Sequence, residues 1–259
     1  VAFKLAALRA DFDDASDHSR GPGSITRPIS STPIFLKCSL RNWLALNRRD
    51  TSSLVPATRC SMKLTNTPAL AFVATANCVL AAGLTPRFVD VELDTLNINP
   101  SLIEKSIGPK TKAIQVVHTM GKPCKMQAIM KIARRHKLAI IEDCCEAHGA
   151  TLNGKVVGSF GAMGLFSFYA AHLICSGEGG MISAHDSTWE ALCRSIRTHG
   201  RRGGQLYFHF DRVGFNSKMT DMAAAVGLEG LEMLDSNFKK RRSFVARLHK
   251  LLSPLSDHL

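Results

Sequence analysis

No uninterrupted apolar run in this chain approaches the roughly 20 residues that span a bilayer, so a membrane-spanning segment is not expected. The N-terminus lacks a charged stretch leading into an apolar core and a small-residue cleavage site, which points to the cytoplasm rather than to secretion. The eight cysteines contain no Cys-x-x-Cys pair; scattered as they are, they fit reduced core thiols better than a disulfide framework or a metal site, and no metal is expected. Aromatic residues do not interleave with the basic ones, and no recognised nucleic-acid module accompanies the densest basic run, Lys239, Lys240, Arg241 and Arg242. The net charge of +12 is therefore read as a solvated surface with one basic helix face, attractive to a small diphosphate rather than to nucleic acid. What remains, 45% hydrophobic and 21% charged residues, is the composition of a folded globular domain.

The middle of the chain alternates helical and extended patterns, which builds a mostly parallel sheet flanked by helices. Helical spacing runs from about Phe72 to Ala82 and stops at Gly83, a C-cap residue, and Pro86 to Val91 reads as a strand. Asn99 followed by Pro100 is an N-cap with proline at the first helical position, which predicts a short helix over Ser101 to Ile107. Ala113 to Val117 is an apolar strand. Met126, Ile129, Met130 and Ala133 share one helix face within Met126 to His136, and Leu138 to Ile141 is the next strand. Asp143 comes directly after it, at the carboxyl edge where open parallel sheets bind ligands.

Several blocks occur in a specific order: Thr-Pro-Ala-Leu-Ala-Phe-Val-Ala-Thr-Ala-Asn at 67 to 77, Phe-Val-Asp-Val at 88 to 91 and Val-His at 117 to 118. Ile-Glu-Asp-Cys-Cys-Glu-Ala-His-Gly-Ala follows at 141 to 150, Gly-Ser-Phe-Gly at 158 to 161 and Gly-Phe-Asn-Ser-Lys-Met-Thr-Asp at 214 to 221. Together they resemble the DegT/StrS-type sugar aminotransferases, which act on nucleotide-linked keto sugars with pyridoxal 5'-phosphate (PLP) or its amino form, pyridoxamine 5'-phosphate (PMP). The resemblance implies the large domain of a fold-type-I PLP-dependent transferase. It also implies a homodimer, a nucleotide-sugar substrate and an amino-acid amino donor. Residues 63–235 correspond to the large domain and 236–259 to a helix leading towards a small C-terminal domain. Residues 1–62 match nothing in the family and read as irregular, without the Gly-Thr-Ser-like phosphate turn expected before Thr67, so the chain reads as truncated at both ends.

The family's cofactor-binding lysine falls at His172. An imidazole has no primary amine to condense with the PLP aldehyde, so the cofactor is expected to bind without a covalent link, and His172 to move protons. By the same resemblance Asp143 pairs with the ring nitrogen, where a carboxylate keeps the ring protonated and electron-withdrawing. Glu146 stands near the phenolic oxygen, Phe72 stacks on the ring and Ser167 binds the phosphate. Asn216 reaches the phosphate of a neighbouring subunit. Read from pattern alone, Phe72 is equally a core residue and Ser167 equally an outward-facing strand residue. His118 and His148 are open between structural and substrate-side roles.

The histidine, the Ala-His pair and the Glu-Asp-Cys-Cys run look like the sugar 3-dehydratase branch. The iron–sulfur form of that branch has clustered cysteines downstream of a glycine turn, here Gly177, Gly179 and Gly180 around Glu178, and residues 198 to 204 contain none. Removal of the 3-hydroxyl of a nucleotide-linked 4-keto-6-deoxy-hexose is the first expectation. An aminotransferase in which Lys155 or Lys218 reaches the aldehyde is the second, and a noncatalytic remnant the third.

Overall fold

The structure is a computed structural model that describes residues 34–35, 63–204 and 209–258. The irregular reading of residues 1–62 lies outside the described residues, except at Ile34–Phe35, an edge strand (β1). A seven-stranded sheet organises the rest. Its further strands are β2 (Leu64–Pro68), β3 (Thr85–Val89), β4 (Thr111–Val117), β5 (Ala139–Asp143), β8 (Met163–Ser167) and β9 (Gly180–Ala184), ordered β1-β9-β8-β5-β4-β2-β3. The pairs from β3 across to β8 are parallel, whereas β8–β9 and β9–β1 are antiparallel. A separate hairpin pairs β6 (Thr151–Leu152) with β7 (Lys155–Val156).

The helices are α1 (Ala74–Ala81), α2 (Pro100–Ser106), α3 (Met126–His136), α4 (Ser187–Arg197), α5 (Asp221–Glu232) and α6 (Leu234–Leu252). Period-2 alternation divides the strands between two cores. Ala113 of β4 and Ile141 of β5 face a cluster with Cys78 and Val79 of α1 and Cys193 and Ile196 of α4. Their neighbours Ile114 and Ile140 face the opposite cluster with Ile103 of α2 and Met126, Ile129 and Ala133 of α3. A fully buried isoleucine such as Ile114 contributes about 1.5–3 kcal/mol, so the near-continuous apolar runs of β4 and β5 are what double-sided burial requires.

Local signals act where the sequence puts them. The Asn99 side chain accepts the Ser101 N–H at 3.0 Å with Pro100 at the first helical position. Gly83 takes a left-handed φ of 68° just past α1. Boundaries differ by a few residues: α1 begins at Ala74 rather than Phe72, and β5 continues through Asp143. On α3 Ile132 is buried, while Met130 only packs against the cluster from its edge. Helix α6 starts at Leu234, inside the segment assigned by sequence to the large domain, and Leu234 docks it beside Phe168 and Ile174. Among the described residues no helix is long and apolar enough to cross a membrane.

Candidate active site

The carboxyl ends of β4, β5 and β8 open on one edge of the sheet, where α1 and the turn after β8 enclose a cavity of about 640 Å³. Asp143, the last residue of β5, lies on its wall with 7% of its surface exposed. The hydroxyl of Thr75 donates to its Oδ2 at 3.4 Å, and the Cys145 N–H donates to its Oδ1 at 3.1 Å. These two donors hold the carboxylate in place while it lines the cavity.

His172 enters from the turn after β8, half-buried, its backbone N–H bonded to the Tyr169 carbonyl at 3.0 Å. Burial draws its pKa below the ordinary histidine value, and the carboxylates of Glu146 and Asp143 partly oppose that fall. The ring is thus poised as a neutral base with two carboxylates near enough to stabilise its protonated form. His148 stands behind it, 6% exposed, with 5.9 Å between the two ring centroids.

Phe72, just ahead of α1, is 77% exposed and faces the cavity, so it is not a core residue. Ser167 ends β8 facing the same space rather than outward, and its Oγ accepts the Tyr169 N–H at 3.2 Å. Glu146 lines the cavity and also tethers its rim, since Oε2 accepts the Met120 N–H at 2.6 Å. That bond secures the tight turn Thr119–Gly121, where Met120 takes a left-handed φ of 53°.

Of the six residues singled out by sequence, five line this cavity. Asn216 does not; it lies exposed, bridged to Thr198. Neither Lys155 nor Lys218 lines the cavity, and the Lys155 Nζ sits over the Phe160 ring, 4.7 Å from its centroid. Thr75, Asn77, Tyr169 and Glu178 also line it. Sequence assigned them no role, although Thr75 and Asn77 fall within the block at 67 to 77. Cys78 is a lining residue too, but burial raises its thiol to about 12 against the opposing Gln115 hydrogen bond, so it stays protonated.

His118 has a structural place. Its Nδ1 accepts the Cys124 N–H at 3.0 Å, which leaves Nε2–H to donate to Glu142 at 3.2 Å. Glu142 further accepts the N–H groups of Gly158, Phe160 and Gly161 at 2.8, 2.7 and 2.6 Å. Burial pushes the Glu142 pKa up, but the His118 and backbone donors outweigh it and hold the carboxyl below its ordinary range. His118, Glu142 and Cys144 offer atoms within 4.8 Å of one another. With four donors already on the carboxylate, this cluster acts as a hydrogen-bonded node tying β5 to the segment before β8.

Residues 65–258 match the DegT/DnrJ/EryC1/StrS aminotransferase family. The chain belongs to that family. A GDP-perosamine synthase from Caulobacter vibrioides is 41% identical over 192 residues, 74% of this chain and 52% of the relative. A UDP-N-acetyl-3-dehydro-alpha-D-glucosamine 3-aminotransferase from Acidithiobacillus ferrooxidans is 44% identical over 160 residues, 61% of this chain and 42% of the relative. Among solved structures, NtdA from Bacillus subtilis with bound PMP superposes with a TM-score of 0.76 at 32% identity, covering 88% of this chain and 50% of the other. A GDP-4-keto-6-deoxymannose-3-dehydratase, ColD, gives a TM-score of 0.74 at 27% identity, covering 85% and 61%. The chain spans about half the length of the curated relatives it matches. The DegT-family assignment and the mostly parallel, helix-flanked fold are as the sequence blocks imply.

Proposed function

We propose that this chain binds PLP or PMP without a covalent link and that His172 transfers a proton during conversion of the keto group of a nucleotide-linked sugar. The observation that carries this reading is that a histidine, and among the described residues no lysine, lines the cavity beside Asp143. The residues present fit a pyridoxal ring: a fixed carboxylate, a hydroxyl at a strand end and an exposed aromatic face converge on a space of suitable size. When bound, the cofactor supplies an electron-accepting ring next to the reacting carbon.

The chain's own side chains supply the rest. Asp143 holds a proton at the ring nitrogen by charge pairing, its own position fixed by Thr75 and Cys145. Phe72 presents a flat apolar surface to the ring. Ser167 offers its hydroxyl to the phosphate. A ring nitrogen of His172 takes a proton and returns it, and Glu146 and Asp143 stabilise the imidazolium between the two steps.

Two outcomes share this proton transfer. The leading one is amino transfer to the sugar, supported by relatives named perosamine synthase and 3-aminotransferase. The second is loss of the 3-hydroxyl, supported by His172 in the lysine position and by the likeness to ColD. An amino acid would serve as the amino donor in either case. The proposed active unit is a cytoplasmic homodimer in which Asn216 of one protomer reaches the phosphate held by the other, which its exposed place outside the cavity favours.

Titration of the purified chain with PLP and PMP, followed by borohydride reduction and mass analysis, tests the reading. Reversible spectral binding with no covalent adduct is expected, weakened at least tenfold, about 1.4 kcal/mol, in Asp143→Asn. A reduced adduct on a lysine refutes the noncovalent site, and absence of binding supports the remnant. Product analysis then separates an amino sugar from a 3-deoxy sugar.

A further inference from the structure

Met120 is held in a left-handed conformation, φ 53° and ψ 25°, that few residues other than glycine adopt. Its side chain is 83% exposed, so no packing of that side chain offsets the strain. Such outliers persist where the surrounding structure over-determines them. Here the constraint comes from the neighbouring loop after β3. Asn97, 2% exposed, accepts the Thr119 N–H on Oδ1 at 3.0 Å and donates Nδ2–H to the Lys122 carbonyl at 2.9 Å, so one amide grips the chain on both sides of Met120. The Thr119 hydroxyl donates to the Leu96 carbonyl at 3.2 Å, and Leu96 is itself left-handed, with a φ of 57°. Two strained residues in adjacent loops are thereby locked together at the carboxyl edge of the sheet.

The lock fixes the direction of the Met120 N–H, which donates to Glu146 Oε2 at 2.6 Å. A hydrogen bond constrains both of its partners. Glu146 is an exposed residue on the cavity wall, and an exposed glutamate without such an anchor samples several rotamers. We propose that Asn97 is a positioning residue for the active site: by clamping the Thr119–Gly121 turn it aims the Met120 N–H, which pins Glu146 Oε2 and leaves Oε1 to the cavity. This rests on the reading of His172 as the proton-transfer group whose protonated ring Glu146 stabilises. The other titratable groups around His172 are Asp143, His148 with 5.9 Å between ring centroids, Tyr169 at 6.3 Å and Glu178 on the cavity wall. The Asp143 carboxylate is held by Thr75 and Cys145, outside this chain of contacts. A change at His172 that follows the loss of Asn97 therefore passes through Glu146.

The test is NMR on the full chain without cofactor, comparing wild type with Asn97→Ala, Glu146→Gln and the double variant Asn97→Ala/Met120→Gly. The Met120 amide is expected to be protected from hydrogen exchange in wild type and to exchange at least about tenfold faster in Asn97→Ala, the low end for a bond to a charged acceptor. The His172 imidazole, followed by its ¹⁵N shifts, is expected to titrate at lower pH in Asn97→Ala than in wild type, in the direction of Glu146→Gln, because the carboxylate that favours its protonated form has lost its anchor. Glycine adopts the left-handed conformation without strain and keeps the N–H, so the double variant is expected to return towards wild type in both readouts. A residue that merely supports the fold would lower stability in Asn97→Ala without moving the His172 titration, and that result overturns the proposal. So does an unprotected Met120 amide in wild type, a measurement that needs no variant to fold, and so does a double variant indistinguishable from Asn97→Ala. Absorbance titration with PMP runs alongside: a wild-type chain that fails to bind it refutes the cofactor reading and leaves the two cofactor-free readouts standing, so the failures are distinguishable.

Discussion

Glu142→Gln is expected to be far more damaging than its near-isosteric shape suggests. The carboxylate is fully buried and accepts four hydrogen bonds, two on each oxygen: Phe160 and Gly161 N–H on Oε1, Gly158 N–H and His118 Nε2–H on Oε2. An amide keeps one acceptor oxygen and turns an NH2 group towards the two donors left over. Two bonds to a charged acceptor are lost, each contributing about 1.5–3 kcal/mol, which sets an expected destabilisation of about 3–6 kcal/mol. Against a total of about 5–15 kcal/mol for a typical domain, that leaves the variant marginal. Urea unfolding followed by far-UV circular dichroism measures it. The pH dependence provides a second reading. The folded-state pKa of Glu142 is lowered, so its contribution is present above the unfolded value, about 4.3, and is lost as pH falls through the folded one. Wild-type stability is therefore expected to fall below about pH 4.3 with a slope of up to about 1.4 kcal/mol per pH unit from this group, and the glutamine variant to lack that component. A shift below about 1 kcal/mol with an unchanged acid slope would refute the reasoning, since the four-donor node would then contribute no more than one ordinary hydrogen bond.

Phe72→Ala is expected to leave stability within about 0.5 kcal/mol, because the side chain is 77% exposed, while weakening PLP or PMP binding by the roughly 0.5–1.5 kcal/mol of an aromatic stacking contact; calorimetry and ligand titration on one sample separate the two. Gly164→Ala is expected to destabilise by about 1–3 kcal/mol, since its added Cβ would lie 2.4 Å from the Gly158 Cα and 2.6 Å from the Gly158 carbonyl oxygen. Thermal unfolding reads that loss. His172→Lys places a primary amine at the cavity wall, and a borohydride-trapped PLP adduct at position 172 is the expected mass-spectrometric result.

The parallel, helix-flanked sheet and the site edge were legible because burial on both faces writes itself into β4 and β5 as apolar runs, and because Asn99-Pro100 and Gly83 act locally; the strand order was not, since it depends on which strands pair across the sheet. The α3 face was read slightly off: Met130 and Ile132 are both apolar at plausible spacing, and only the packing of α3 against Ile114 and Ile140 selects Ile132 for burial. Phe72 and Ser167 were ambiguous for the same reason, since exposure depends on where the chain turns at the cavity rather than on periodicity. Thr75 carries no signal as a threonine within a helix; its role arises when α1 sets its hydroxyl 3.4 Å from an aspartate 68 positions away. The division of labour between two neighbouring carboxylates was equally hidden. Glu142 and Asp143 alternate across β5, so one enters the buried node and the other the cavity.

The charge of the cavity separates two tasks that a sugar-nucleotide site must perform. Asp143, Glu146 and Glu178 line it, and among the described residues no lysine or arginine does, although the chain as a whole carries a net charge of +12. Such a wall is poorly suited to hold phosphates by charge, and well suited to stabilise a transient imidazolium at His172. In the proposed function, anion binding then falls to hydroxyl and backbone donors such as those around Ser167 and to groups outside the wall, such as Asn216 and the nearby exposed Lys218 of a second protomer. Proton transfer stays with the carboxylate-flanked histidine. The arrangement predicts that added salt weakens nucleotide-sugar binding more than it alters the protonation of His172, because exposed charge contacts are screened over a Debye length of about 8 Å at physiological salt whereas the half-buried ring is shielded by its own pocket. Binding isotherms and ¹⁵N titrations of His172 across the same salt series make the comparison, and an equal response of both would show that one set of charges serves both tasks.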